Sequence, residues 1–325
     1  MPSNTTHFIF SEDVYHKLDE KSKNRISKSK DIYNLFSQSH DLLFYYYLDL
    51  KQGRRIRHLG TYAHHNKTQY YLINIIKEIK INRLENDPDI MAFLYGVITH
   101  YVLDTHCHPY IFYKTGVYRK KQKWTHKYYG EHTHIEKELD SIYYTKKYNK
   151  PYNKCNLNKE IIKDIKIDNK LENFISSIYR KSYGVPDVGS YINKSIRIQR
   201  IVNTLAVHDR FGIKKFLFYI LRFLTFNKLK KLPYYSSFNF KPINHWLNEE
   251  HKEWNHPCFK DKKFKDSFDD IYKKSIKDTI KIINAINKVL YEKELINTLN
   301  DIIPNIDYAT GIPCNDPNMM NYFEY

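Results

Sequence analysis

Turn-forming residues are scarce in this chain: 9 glycines and 11 prolines are spread over 325 residues. That argues against a fold of many short strands, which needs a turn about every 8–12 residues. Cysteine is scarcer still. Cys107, Cys155, Cys258 and Cys314 lie far apart with no Cys-x-x-Cys pair, which excludes a ribbon-type zinc site and a disulfide-stapled scaffold, so they read as reduced thiols. No apolar run reaches the roughly 18 residues of a spanning helix. The opening Met-Pro-Ser-Asn-Thr-Thr-His-Phe-Ile-Phe has neither a basic region nor the apolar core of a secretory signal. A cytoplasmic location is the expectation.

What the chain has in abundance is tyrosine (30) and phenylalanine (18), within a 42% hydrophobic content that is ample for a core. A net charge of +17 would suit an anionic partner such as nucleic acid, an acidic membrane or a phosphate ester. The lysines, however, are scattered among Asn, Ile and Tyr rather than massed, which reads as compositional bias; no specific nucleic-acid partner is expected. The composition changes little across a polar linker at 145–158. A single all-α domain is therefore expected over 1–325, with its chemistry in residues 1–145 and a helical extension over 158–325.

The organising stretch runs from Asp87 to His108. Asp87 suits a helix cap and Pro88 the first helical position. The residues that follow are apolar nearly all round, as in a helix buried on most sides. Yet His100, Asp104 and His108 recur every fourth residue, which stacks them on one helix face. Pro109 is expected to end the helix at or just before His108 and turn that side chain outward. Elsewhere the pattern predicts an irregular segment over 1–10 carrying His7, a helix from Ser11, and a short helix over 31–36. A basic loop is expected over 51–57, a helix over 61–81 with His64 in its first turn, a long loop over 110–130 and a helix over 132–144. Further helices are expected at 158–181, 187–207, 211–231, 243–252 and 264–300.

Burying imidazole and carboxylate together is costly unless they pair or ligate a metal. His100/Asp104 and His132/Glu136 share one construction, an imidazole and a carboxylate four residues apart, able to grip an ion from one helix face. Such mixed ligands suit zinc better than calcium or magnesium. Zinc ions in a cluster would neutralise phosphoryl oxygens and make water nucleophilic, as phosphodiester hydrolysis requires. Plainer readings stand beside each pair. His100 and Asp104 could form an ion pair in a helical core, and Thr133 with Glu136 could be a capping box. His134/Glu138 repeats the spacing on another face, His106 could be an outer partner, and Asp41 could cap a helix or pair with lysine.

Taken together the motifs resemble the zinc-dependent bacterial phospholipase C family, and most nearly its short, unsecreted members. The resemblance is carried by His7 in Thr-His-Phe-Ile-Phe, Asp41 in His-Asp-Leu-Leu-Phe-Tyr-Tyr, and Leu59-Gly60 followed by His64. It continues in Gly-Val-Ile-Thr-His-Tyr-Val-Leu-Asp-Thr-His-Cys-His, His-Thr-His-Ile-Glu-Lys-Glu-Leu-Asp, and Asp-Tyr-Ala-Thr-Gly-Ile-Pro-Cys near the end. It covers residues 1–145 well and the remainder loosely. The resemblance implies an all-helical fold and two to three zinc ions. It selects His64 over the adjacent His65. Asp41, His64, His100 and Asp104 would hold one ion, His108, His132 and Glu136 a second, and His7 with a bridging Asp104 a third. Asp41 would also be the general base, in a hydrolase acting on a phosphate ester such as a phospholipid. Two departures stand out. With no secretory signal expected, no processed N-terminal amine is expected at the third ion, and the interval from Asp104 to His108 is shorter than in secreted members.

Other functions fit parts of the pattern. The His40-Asp41 doublet matches HD-type metal phosphohydrolases, but that leaves His132/Glu136 unexplained. Single-strand nucleases share the zinc-cluster fold. A non-catalytic basic protein binding membrane or nucleic acid would use none of these histidines. One segment outside the site, Ile213 to Leu232, is basic at both ends and aromatic between. A core helix with snorkelling lysines is its favoured reading; peripheral contact with an anionic bilayer is the alternative. The scattered His245, His251, His256 and Cys258 fit no ligand spacing and are read as loop.

Overall fold

The computed structural model describes residues 4–47, 50–160, 162–163, 165–204, 211, 213–224, 244–292 and 294–324. Among these, twelve α-helices follow one another: α1 (Asn4–Lys17), α2 (Glu20–Ile26), α3 (Lys30–Phe36), α4 (Leu50–His65), α5 (Thr68–Ile81), α6 (Pro88–Thr115), α7 (Glu131–Tyr148), α8 (Leu157–Glu160), α9 (Asn169–Tyr183), α10 (Val188–Val202), α11 (Ile213–Leu224) and α12 (Phe268–Tyr291). The only strands among the described residues, β1 (Trp254–Asn255) and β2 (Lys263–Phe264), form one antiparallel hairpin. The expected all-α class holds.

Helix α6 is the axle. Asp87 caps it, accepting from the amides of Asp89 and Ile90, with Pro88 in its first turn. Its flanks are buried by α3 and α12, with α1, α2 and α7 completing the sleeve. Gly96 permits the closest approach. A Cβ there would lie 2.5 Å from the Tyr33 carbonyl oxygen and 3.0 Å from Phe36, so α3 packs backbone-on-backbone against α6. The buried apolar side chains form one continuous cluster, running from Phe8 to Tyr308.

Several boundaries depart from expectation. Residues 4–10 are helical, not irregular, because they are packed against α7 and α12. The basic stretch 51–57 is the start of α4, not a loop; Ile56, Leu59 and Ala63 bury one face while Arg54, Arg55 and His58 point to solvent. The helix expected over 61–81 breaks at Lys67, whose φ is +55°, so His64 sits in the last turn of α4. Pro109 does not end α6, which continues to Thr115. Tertiary contact overrides the local cost of proline: Pro109 packs under Gly311, where a Cβ would lie 3.0 Å from the proline ring. The long loop shrinks to 116–130, with a 3-10 turn at Lys123–Tyr128. The helix expected over 243–252 is a single 3-10 turn, Asn244–Leu247, and the one over 264–300 is α12 flanked by the hairpin and a 3-10 turn. Residues 161, 164, 205–207, 212, 225–231, 243 and 293 of the expected helices lie outside the described residues.

Candidate metal centre

Five separate elements deliver the eight candidate ligands. His7 comes from α1, Asp41 from the 3-10 turn Ser39–Tyr45, His64 from α4, His100, Asp104 and His108 from α6, and His132 and Glu136 from the first turns of α7. Seven are buried; His132 is half-buried and opens toward solvent. Two groups of donor atoms each lie within 4.8 Å of one another: His7, Asp41, His100 and Asp104, and then His108, His132 and Glu136.

Asp104 is the hub. Its Oδ1 lies 3.1 Å from His7 Nε2, and its Oδ2 lies 3.3 Å from His100 Nε2, 3.8 Å from His108 Nδ1 and 3.9 Å from His64 Nε2. Asp41 Oδ1 stands 3.1 Å from His64 Nε2. Glu136 Oε1 lies 3.0 Å from His132 Nε2 and 3.4 Å from His108 Nε2. The second group contains the three residues expected to hold one ion. In the first group His7 stands beside Asp41 and His100, rather than apart with Asp104 alone. His64 adjoins that group through Asp41 and through His100, their Nε2 atoms 3.4 Å apart.

The histidines are aimed. His64 Nδ1 donates to the Gly60 carbonyl at 2.7 Å, His100 Nδ1 to the Ser37 carbonyl at 3.1 Å, and His108 Nδ1 to the Tyr308 carbonyl at 3.0 Å. A carbonyl only accepts, so each Nδ1 carries a proton and each ring aims its Nε2 inward, where the neutral form offers a lone pair. Backbone carbonyls orient metal-ligating histidines in this way. Around these lone pairs, both oxygens of Asp41, Oδ2 of Asp104, Oε2 of Glu136 and Nδ1 of His7 and of His132 are buried without a hydrogen-bond partner. Three carboxylates and inward lone pairs in one dry space are unfavourable unless positive charge sits among them. The donor set therefore fits divalent cations, and zinc by its imidazole–carboxylate chemistry.

Without metal, protons supply that charge. Burial works against charge on His7, but Asp104 outweighs it and the pKa rises. His64 rises too, burial being outweighed by Asp41. Burial likewise opposes charge on His108, yet Asp104 and Glu136 push its pKa up to about 9. His100, the most enclosed, is driven down to about 4 by burial. Burial disfavours charge on Asp104 and Glu136, but the surrounding imidazoles hold both carboxyls well below their usual range.

The site opens into a cavity of about 300 Å³ lined by Asp41, His64, His108, His132 and Glu136 and walled by Phe44, Tyr47, Phe112 and Arg57. Phe112 stacks on His132 and Phe44 on His64, with ring centroids 4.3 and 5.7 Å apart. Neighbouring candidates separate cleanly. His65 pairs with Asp307 at 2.6 Å, half-exposed. His106 turns away to Ser275 and Asp278. His134 packs against Trp246. His40 bonds Tyr179 through Nδ1 at 2.6 Å and, unlike Asp41, belongs to neither donor group. Thr133 is no cap: α7 starts at Gly130 in a left-handed conformation.

Sequence reasoning missed the role of the tail. The segment 307–314 returns over the site. Tyr308 donates its amide to the His64 carbonyl and accepts from His108, and its ring lies 5.2 Å from that of His64. The familial Asp-Tyr-Ala-Thr-Gly-Ile-Pro-Cys string was the available signal. The carbonyls of Ser37 and Gly60 had none, because any residue carries one.

Fold and centre together define an all-helical protein with a buried imidazole–carboxylate cluster that could hold divalent metal. A family model described as zinc dependent phospholipase C matches residues 6–185, 180 of the 325 residues, and the chain belongs to that family. The match spans all eight candidate ligands, but neither α11 nor the tail. No curated protein and no solved structure matches the chain. Among the described residues no helix is long and apolar enough to cross a membrane.

Proposed function

We propose that this protein is a zinc-dependent phosphoric ester hydrolase of phospholipase C type, cleaving a phosphodiester with water. The observation that carries the reading is the set of three imidazoles whose Nδ1 atoms are tied to backbone carbonyls, so that their Nε2 atoms converge on buried carboxylates with unused oxygens. His7, Asp41, His100 and Asp104, with His64 adjoining, would hold one or two ions, and His108, His132 and Glu136 another. Bound zinc supplies charge for the phosphoryl oxygens and lowers the pKa of water toward neutrality.

The chain's own residues do the rest. Asp41 reaches the cavity with both oxygens free of hydrogen bonds; it orients the attacking water and takes its proton. Phe44, Tyr47 and Phe112 offer an apolar wall for the substrate's non-polar part. Arg57, whose guanidinium sits 4.4 Å from the Tyr47 ring centre, places a fixed positive charge beside the phosphate's path.

The test is metal analysis of the purified protein alongside hydrolysis of a panel holding phospholipid, single-stranded DNA and a soluble diester. Two to three zinc ions per chain, with diester cleavage abolished by chelator and restored by zinc, are expected. Protein that carries no zinc, or whose activity chelator leaves untouched, overturns the reading. Cleavage of DNA in preference to lipid would make it a nuclease on the same centre.

A further inference from the structure

The geometry points to a second working surface, α11, which we infer docks the protein on an anionic lipid bilayer. Along this helix Ile213, Phe216, Leu217, Ile220, Phe223 and Leu224 are exposed, from 41% for Ile220 to 82% for Phe223. Their spacing of 0, 3, 4, 7, 10 and 11 gathers them on an arc of about 120° at the helical 100° per residue. For these six side chains the expected burial in the core does not occur and they face outward; residues 225–232 of the expected segment lie outside the described residues. Soluble monomers rarely leave so many large apolar side chains together in water.

The charge of the sequence that carries this helix selects the occupant. From Arg210 to Asn248 the sequence has eight Lys or Arg and no Asp or Glu. A basic stretch bearing an apolar helical face matches an anionic membrane surface, where phosphate headgroups meet the cations and acyl chains receive the phenylalanines. An RNA partner would use the charge and leave Phe216 and Phe223 in water. A second copy would bring the same positive stretch against itself. The inference rests on the helix alone and needs no metal, so it stands or falls separately from the hydrolase reading.

The experiment is co-sedimentation of the full chain with vesicles of phosphatidylcholine, with and without phosphatidylglycerol, comparing wild type with Phe216→Glu/Phe223→Glu and with Lys214→Gln/Lys215→Gln. Circular dichroism verifies folding. Wild type is expected to pellet with the phosphatidylglycerol vesicles. Each phenylalanine replacement should weaken partition by roughly tenfold or more, and the lysine pair by roughly tenfold at low salt. In Phe223→Trp the indole emission should shift to the blue on adding those vesicles. Three results overturn the inference. In the first, wild type stays in the supernatant with every vesicle. In the second, a dimer forms without lipid and the glutamate pair dissolves it. In the third, single-stranded RNA binds and the glutamate pair leaves that binding unchanged.

Discussion

Replacing Asp104 with asparagine tests the centre most directly. The side chain keeps its shape but loses the charge around which four imidazoles gather within 3.1–3.9 Å. An amide cannot bridge cations, so the His7–Asp41–His100 group should lose its metal. The His108–His132–Glu136 group, which draws no donor atom from Asp104, should keep its own. Zinc content is therefore expected to fall by at least one ion without reaching zero. The energetic scale follows from mass action. Metal held at a thousandfold above its dissociation constant adds about 4 kcal/mol to folding stability. At about 2.1 cal/mol/K of unfolding entropy per residue, a 325-residue chain shifts by about 1.5 °C per kcal/mol, so wild type should lose on the order of 6 °C of melting temperature per ion stripped. Asp104→Asn should start near the value of wild type stripped of that one ion. Its diester hydrolysis should drop by about 10³-fold. Calorimetric melting with and without chelator, together with plasma emission analysis, provides the readout. If Asp104→Asn keeps wild-type zinc content and the same chelator-induced melting shift, the centre does not assemble as described.

Three further outcomes follow from other parts of the structure. Gly96→Ala would place a Cβ 2.5 Å from the Tyr33 carbonyl, pushing α3 off α6; a loss of about 1–3 kcal/mol is expected, read by urea unfolding, and zinc affinity should fall with it as Ser37 moves away from His100. Gly311→Ala sets a side chain at φ +66° and 2.6 Å from the Thr105 carbonyl; the displaced tail should free His108 from Tyr308 and cut zinc affinity roughly 10–100-fold in a competition with a chelating dye, while leaving the helix content of the circular dichroism spectrum unchanged. His108 holds a proton at neutral pH in the metal-free protein, its pKa being about 9. Zinc must displace that proton, so zinc binding at pH 7 should release at least one proton, and affinity should weaken as the pH falls. Titration calorimetry in buffers of different ionisation enthalpy measures the number; zero protons released would contradict it.

Much of the centre was legible because helices convert spacing into direction. His100, Asp104 and His108 on α6, and His132 and Glu136 on α7, were readable as pairs from a four-residue interval alone. The interval could not say which of the overlapping pairs on α7 faces inward; the burial of Ile135 and Leu139 and the stacking of Phe112 on His132 decided that. The boundaries were misread wherever local preference met a tertiary contact of greater worth. Pro109 reads as a terminator because the residue before a proline is biased away from helical angles, but Gly311 and the tail packed against it hold the helix to Thr115. Residues 51–57 looked like a loop because they are basic, yet Ile56 and the following turns bury enough to keep them in α4.

The order of residues along the chain thus determined the all-helical class, the chemistry of the ligands and the faces that carry them, since composition and helical periodicity act within a few residues. Tertiary structure alone decided which imidazole nitrogen points inward, that His7 shares a group with Asp41 and His100, and that Phe216 and Phe223 of α11 face solvent. Each depends on groups far apart in the chain: the carbonyls of Ser37 and Tyr308 beside residues 63 and 200 positions away. No local pattern encodes a backbone oxygen that only folding brings near.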